Sequence, residues 1–233
     1  MGGLALIGSR LMFVIACKFD KNRPIIFECV ESIKRHLPNA AICVVDSASE
    51  DKGYFNDLDS FIHILDADNR FFAMEAYRIA YREFPNEKFF YNIHDSLIIE
   101  NDISFVEIED IRTIRWWSYP PVEMGWDTDG RNICEWANEQ MIEHLGYGVP
   151  SEYKGIFGPM FMCKREVMDN LHNTGIFNIL PTTKNHSCAT ERICGIVLGK
   201  LGYNVENSFQ GYGGEIYDSY DETNVRKVHL LRN

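Results

Sequence analysis

A chain of 233 residues fits one α/β domain or two small ones and buries roughly three quarters of the surface its unfolded form exposes, so its core needs no disulfide or structural metal. Apolar residues at 45% and charged residues at 24% exclude a disordered or fibrous chain. With 23 basic against 34 acidic side chains the net charge is −11, which opposes broad attraction to a nucleic-acid backbone or an anionic membrane, although a helix N-terminus or one cation can still offset the phosphates of a nucleotide.

At the N-terminus the apolar stretch Leu4 to Ile7 is short, and Arg10 separates it from the next one. It reads as neither a signal peptide nor a membrane span, and no other stretch approaches the ~20 apolar residues a span needs. A cytoplasmic protein is the expectation. Leu11 to Cys17 is a continuous apolar run, the pattern of a strand covered on both faces. After the polar loop Lys18 to Arg23, Pro24 suits the first turn of a helix, and Ile26, Cys29, Val30, Ile33 and Leu37 recur at helical spacing until Pro38. A second buried run, Ala40 to Val45, leads into Asp46 to Asp51, so strand, helix and strand read as a right-handed βαβ unit. Phe61 to Leu65 repeats the strand pattern, and Ala73, Tyr77, Ala80 and Phe84 mark one face of a helix ending near Pro85. Lys88 to Ile99 is a strand interrupted by His94, Asp95 and Ser96. Such a triplet is costly inside a sheet but fits a strand end, where open α/β sheets bind ligands, so it is expected to be the centre of the site.

Beyond residue 100 the order changes to the aromatic, Pro-rich Trp116 to Pro121 and then a helix through Trp136, Met141 and Leu145. A Gly-rich connection from Gly146 to Pro159 precedes a strand at Phe161 to Cys163, and a helix from Arg165 to His172 ends at Gly175. A last helix is expected from Thr190 to Leu201, closed by Gly202, and the polar Gly- and Tyr-rich tail from Gly211 to Asn233 is expected to be a closing arm. No repeat or linker divides the chain, so the expectation is a single domain over residues 1–233 with halves at 11–100 and 101–233. Seven cysteines, an odd number without a CxxC pair, favour reduced core thiols. His186-x-Cys188 with Cys194 falls short of a tetrahedral zinc set.

The loop after the first strand carries neither GxGxxG nor GxxxxGK, which argues against a dinucleotide-dependent dehydrogenase or a P-loop enzyme. Carboxylates recur at strand ends instead: Asp46 after the second strand, Asp66 and Asp68 after the third, Asp95 after the fourth. Each alone also suits a loop or helix cap; together they would line one sheet edge.

This order resembles the nucleotide-sugar-dependent glycosyltransferases of the GT-A fold, from residue 11 to residue 205. Val44 to Asp51 is similar to that family's strand-end Asp with its small-residue loop and second Asp. Asp68-Asn69-Arg70 is similar to its next nucleotide-contacting segment, and Asn92 to Ser96 occupies the place of its metal-binding DxD motif. The resemblance implies an α/β fold with a mixed, mostly parallel central sheet flanked by helices, Rossmann-like in its N-terminal half. It implies transfer of a sugar from a nucleoside-diphosphate sugar to a hydroxyl of a carbohydrate acceptor. Asp46, Asp68, Arg70 and His94 would contact the donor.

Asp95, with a late histidine such as His186 or His229, would hold Mn2+ or Mg2+. Asn92 and His94 stand where two-carboxylate versions carry Asp, so only Asp95 is a hard oxygen ligand, and histidine suits manganese better than magnesium. Glu191, in Thr190-Glu191-Arg192, resembles the residue that serves inverting members as catalytic base, and an acid at a helix N-terminus also suits the helix dipole. Trp116 and Trp117, beside Ser-Tyr-Pro-Pro, fit poorly in a regular element and suggest an acceptor-binding loop where, with Tyr119 and Trp126, they could stack on sugar C–H faces beside Asp127 and Asp129; such a cluster also suits a core. Gly158, in Gly155 to Met160, resembles the glycine-containing acceptor segment, or is a plain turn. Two other classes remain. A non-catalytic carbohydrate- or nucleotide-binding relative accounts for the incomplete DxD, and a nucleotidyltransferase would need a Gly-rich basic loop that the first strand lacks.

Overall fold

Seven apolar residues in a row, Leu11–Cys17 (β1), demand partners on both edges and cover on both faces. The computed structural model, which describes residues 11–67, 72–103, 109–119, 128–208 and 225–228, supplies all four. After β1 come α1 (Ile25–His36), β2 (Ala41–Asp46), β3 (His63–Asp66), α2 (Phe72–Glu83), β4 (Phe89–His94) and β5 (Leu97–Ile99). The second half adds β6 (Ile111–Thr113), β7 (Trp116–Tyr119), α3 (Thr128–Leu145), β8 (Tyr153–Ile156), β9 (Phe161–Lys164), α4 (Arg165–Thr174), α5 (Lys184–Lys200) and β10 (Val225–Lys227).

Six strands form one sheet in the order β3-β2-β1-β4-β9-β6. The first four run parallel, and β9 runs antiparallel to both β4 and β6, which gives the mixed, mostly parallel α/β sheet expected from the sequence. Pairing around β1 runs from Met12↔Ala41 to Cys17↔Asp46 on one edge and from Leu11↔Phe89 to Ala16↔His94 on the other.

Alternation along the strands sorts the core into two layers. Met12, Val14, Cys43, Val45 and Phe90 face α2, α4 and α5, whereas Phe13, Ile15, Ile42, Val44, Tyr91 and Ile93 face α1. On α1 the residues Ile26, Cys29, Val30 and Ile33 form the buried stripe, and Glu28 near its start with Lys34, Arg35 and His36 in its last turn complements the helix dipole. Gly175 and Gly202 follow α4 and α5 at φ +88 and +87, the left-handed geometry glycine accepts without strain. Among the described residues no helix is long and apolar enough to cross a membrane.

Three expectations change. The run from Lys88 to Ile99 is two strands, because the turn at Asp95 and Ser96 takes the chain out of the main sheet and into a ribbon in which β5 pairs with β10. Trp116 and Trp117 lie in β7 and not on a loop, since the supposed Gly-rich connection contains β8, with Trp117 opposite Gly155. The last helix starts six residues earlier than Thr190, at Lys184, where the Thr183 hydroxyl caps it by accepting from the His186 N–H at 3.1 Å. Of the tail, only 225–228 lies within the described residues, and it contributes β10. The three-residue strand β6 carried no sequence signal.

The seven cysteines are free thiols, five of them buried. Burial pushes the Cys43 thiol from its ordinary 9.0 up to about 12 and the Tyr91 hydroxyl from 10.0 up to about 12. An unfolded chain releases these protons near their ordinary values while the folded one keeps them, so the stability they support is complete below about pH 9 and lost as the pH rises towards about 12. Urea denaturation at rising pH should show stability falling above about pH 9, by at most about 1.4 kcal/mol per pH unit for each such group. A flat profile across that range would contradict this burial.

Candidate functional site

From β1 the chain moves outward to β2 and β3, then returns to the opposite side of β1 as β4. The carboxyl ends of β1 and β4 therefore flank a topological switch point, the position where open α/β sheets leave a crevice for ligands. Asp95, the first residue after β4, spans that gap. Its N–H donates to the Ala16 carbonyl at 3.2 Å, and its Oδ2 accepts from the Lys18 N–H at 3.4 Å. Asp95 is nearly buried and His94 half-buried, so the triplet expected at the centre of the site lies at a strand end.

The loop between β8 and β9 closes one side of this place. Because β9 is antiparallel to β4, with Phe161 opposite Asn92, residues 157–160 fall beside His94. Gly158, at φ +60, lies so close to the imidazole that a Cβ would sit 2.7 Å from its Cε1. The Phe157 N–H donates to the Arg115 carbonyl at 3.0 Å, tying this loop to the segment that leaves β6. The structure thus brings together His94, Asp95 and Gly158.

Asp46 ends β2 in the same row, but its carboxylate is fully buried and engaged within the protein. Oδ1 accepts from the Ser49 N–H at 2.9 Å and Oδ2 from the Tyr54 hydroxyl at 2.8 Å. The Phe19 N–H donates to Ser49 Oγ at 2.7 Å, and the Phe19 ring stacks on Tyr54 at 4.3 Å. Ala48 holds φ +56, which for a residue with a Cβ places strain in this loop. Asp46 therefore fixes the loops after β1 and β2, a different task from the direct donor contact expected of it. Tyr54, and Cys17 through its carbonyl, which accepts from the Ser47 N–H at 2.8 Å, complete this edge and escaped the sequence reading, although Cys17, as the last residue of the first apolar run, belongs there. Burial and then the neighbouring Asp95 charge push the Cys17 thiol well up, and burial also raises the Tyr54 hydroxyl. Asp66, at the end of β3, pairs with Lys52. Asp68, Arg70 and His229 lie outside the described residues, as does Trp126.

The remaining expected residues stand in other surroundings. Trp117 is 2% exposed, meets Tyr153 edge-on at 5.9 Å and lies under the Arg192 guanidinium at 4.8 Å, with Gly155 opposite leaving room for its ring. It is a core residue and not an acceptor platform. Trp116, on the other face of β7, is half-buried with the Lys154 ammonium 4.5 Å from its ring centre. Glu191 is half-buried and lies about two turns into α5, so the helix dipole does not account for it. Its neighbour Arg192 is buried and donates to the Cys188 carbonyl at 3.0 Å.

His186, expected as a metal ligand, stacks face to face on Trp136 at 4.2 Å, and its Nδ1 lies 3.3 Å from the Thr182 N–H and 3.0 Å from the Thr182 hydroxyl. Among the described residues no three His, Cys, Asp or Glu side chains converge as metal ligands. With both Asp46 oxygens engaged as well, the described residues do not fit a preassembled Mn2+ or Mg2+ site.

No protein-family model matches the sequence, and no curated protein matches it. In three dimensions the chain is similar to crystal structures of glucosyl-3-phosphoglycerate synthase from Mycobacterium tuberculosis, a glycosyltransferase of the GT-A fold. The complex of that enzyme with Mn2+, UDP and phosphoglyceric acid matches at 13% identity with a TM-score of 0.40, over 70% of this chain and 58% of that one. The complex with Mn2+, UDP-glucose and phosphoglyceric acid matches at 13% identity with a TM-score of 0.44, over 88% of this chain and 82% of that one. A further structure of the same enzyme gives 13%, 0.43, 88% and 83%.

Replacing Gly158 by Ala forces a Cβ into the His94 ring at a left-handed backbone position. Gly158→Ala should lose about 1–3 kcal/mol in urea denaturation. An unchanged midpoint would show that the loop is not held against the imidazole.

Proposed function

We propose that the chain is a glycosyltransferase that moves a sugar from a nucleoside-diphosphate sugar to a hydroxyl of a carbohydrate acceptor. The observation that carries this reading is Asp95 at the switch point, bonded to the backbone of β1 and its following loop and flanked by His94 and the Gly158 loop. Residues 11–100 form the donor half and 101–233 the acceptor half. His94 faces the diphosphate side of the donor, with Asp95 as the carboxylate that a bound cation would share with the phosphates; Asp68 and Arg70 extend the nucleoside contacts, and Asp46 acts through the loop it fixes. Gly158 lets its loop close against the His94 ring, and Trp116 offers the partly exposed aromatic face for the acceptor.

In the transfer step the acceptor oxygen bonds to the anomeric carbon while the bond from that carbon to the diphosphate oxygen breaks. The electron pair leaves with the nucleoside diphosphate, and the hydroxyl proton passes to the Glu191 carboxylate. Mn2+ or Mg2+, when bound, would neutralise charge on the departing diphosphate. The protein groups named here do not by themselves assemble its ligands. That same lack of a three-ligand set among the described residues favours, as a second reading, a nucleotide-binding relative without turnover.

Calorimetry with UDP-glucose and GDP-mannose, each with and without Mn2+, tests the donor assignment; no binding under any condition would sink it. In the presence of Mn2+, Asp95→Asn should weaken binding about tenfold, because it removes the carboxylate that a cation would share with the diphosphate. Glu191→Gln should leave donor binding intact and slow transfer roughly a hundredfold or more. Full turnover by Glu191→Gln would remove that residue as base, and absence of donor hydrolysis and transfer alongside tight binding would select the second reading.

A further inference from the structure

Strand alternation accounts for an unusual row of polar side chains beneath the site. Phe13, Ile15 and Cys17 on β1 share a face with Ile42, Val44 and Asp46 on β2 and with Tyr91 and Ile93 on β4, and Asp95 is the next residue of that parity. Strand spacing sets the β2 and β4 positions about 10 Å apart across β1, with the Cys17 thiol between the two carboxylates. Bonds to the main chain hold all three in place: the Ser47 N–H donates to the Cys17 carbonyl at 2.8 Å, the Ala67 N–H donates to the Asp46 carbonyl at 2.9 Å, and Asp95 is bonded to the residues on either side of Cys17. The thiol is 1% exposed, and this register sets it beside the Asp95 carboxylate, with the Tyr54 hydroxyl on Asp46 at the same sheet edge.

We propose that Cys17 is a positioning residue, whose buried thiol donates to the Asp95 carboxylate and orients it beside the Asp46 loop that Tyr54 holds. The proposal rests on the reading of Asp95 as a donor contact. A neutral donor suits this position because a third negative charge between Asp46 and Asp95 would be expensive in a buried site, while an apolar side chain would leave Asp95 without the bond that orients it. The raised thiol agrees with this, since both burial and the adjacent carboxylates keep its proton on sulfur. Tyr54 extends the hold, because its hydroxyl donates to Asp46 and its ring is fixed by stacking on Phe19. The thiol thus holds the turn after β4 while the Tyr54 hydroxyl holds the loop after β2, side by side at one sheet edge.

Cys17→Ala, Cys17→Ser, Asp95→Asn, Asp95→Ala and the double variant Cys17→Ala/Asp95→Ala separate this role from simple packing. Urea denaturation should give stability losses for Cys17→Ala and Asp95→Ala that do not add in the double variant, because both remove the same bond. Titration with UDP-glucose should show Cys17→Ala binding about tenfold more weakly, with Cys17→Ser, which keeps a donor, recovering most of the loss. Additive stability losses overturn the proposal, as does wild-type UDP-glucose affinity in Cys17→Ala where Asp95→Asn has lost it. If UDP-glucose fails to bind the wild type, or Asp95→Asn binds it unchanged, while the stability coupling is present, the donor reading fails and the hold of Cys17 on Asp95 is supported.

Discussion

Pairing of β1 on both edges is the constraint from which the site follows. A strand with parallel neighbours on each side and helices over both faces has no exposed backbone or side chain along its length, so polar groups can enter only where it ends. The register then decides which residues meet there. Cys17 lies opposite Asp46, Ala16 opposite His94, and Asp95 reaches across from the end of β4. A slip of one residue in either pairing would send these side chains to the opposite face of the sheet, so the apolar runs that fix the register also fix the chemistry of the edge.

The parallel half was legible because its signals are local. Continuous apolar runs identified β1 and β2, the spacing of Ile26, Cys29, Val30 and Ile33 identified α1, and the interruption at His94, Asp95 and Ser96 marked the end of β4. The second half was less legible because its strands are short and their partners distant. β6 has three residues, and β7 and β8 form a ribbon across 33 intervening residues, so neither propensity nor alternation has length to accumulate. Trp116 and Trp117 followed by Ser-Tyr-Pro-Pro resemble a loop until Gly155 is known to lie opposite Trp117 and make room for its ring.

The residue types at the site were legible and their allegiances were not. Sequence order places Asp46, His94 and Asp95 at strand ends, but only coordinates show that Asp46 spends both oxygens on Ser49 and Tyr54 while Asp95 spans two strands. His186 likewise stands in a sequence context that suits a ligand, and its ring is engaged by Trp136 and Thr182. The start of α5 at Lys184 similarly turns Glu191 from a residue at a helix end into one on a helix flank. A tertiary partner decides each case, and partners far apart in sequence leave no local mark.

The ribbon of β5 and β10 bears on how the molecule is assembled in time. Directly after Asp95 and Ser96 the chain enters β5, whose partner strand brings Arg226 onto Glu100 at 2.5 Å and onto Glu28 at 3.0 Å, while the Val228 N–H donates to the Ser96 carbonyl at 2.8 Å. These contacts join segments 126 and 198 residues apart, among the most expensive loops to close. Formation of the parallel sheet does not require them. The turn that carries Asp95 therefore gains this support only after the sheet exists, and opening of the ribbon offers a route by which the turn can loosen without global unfolding.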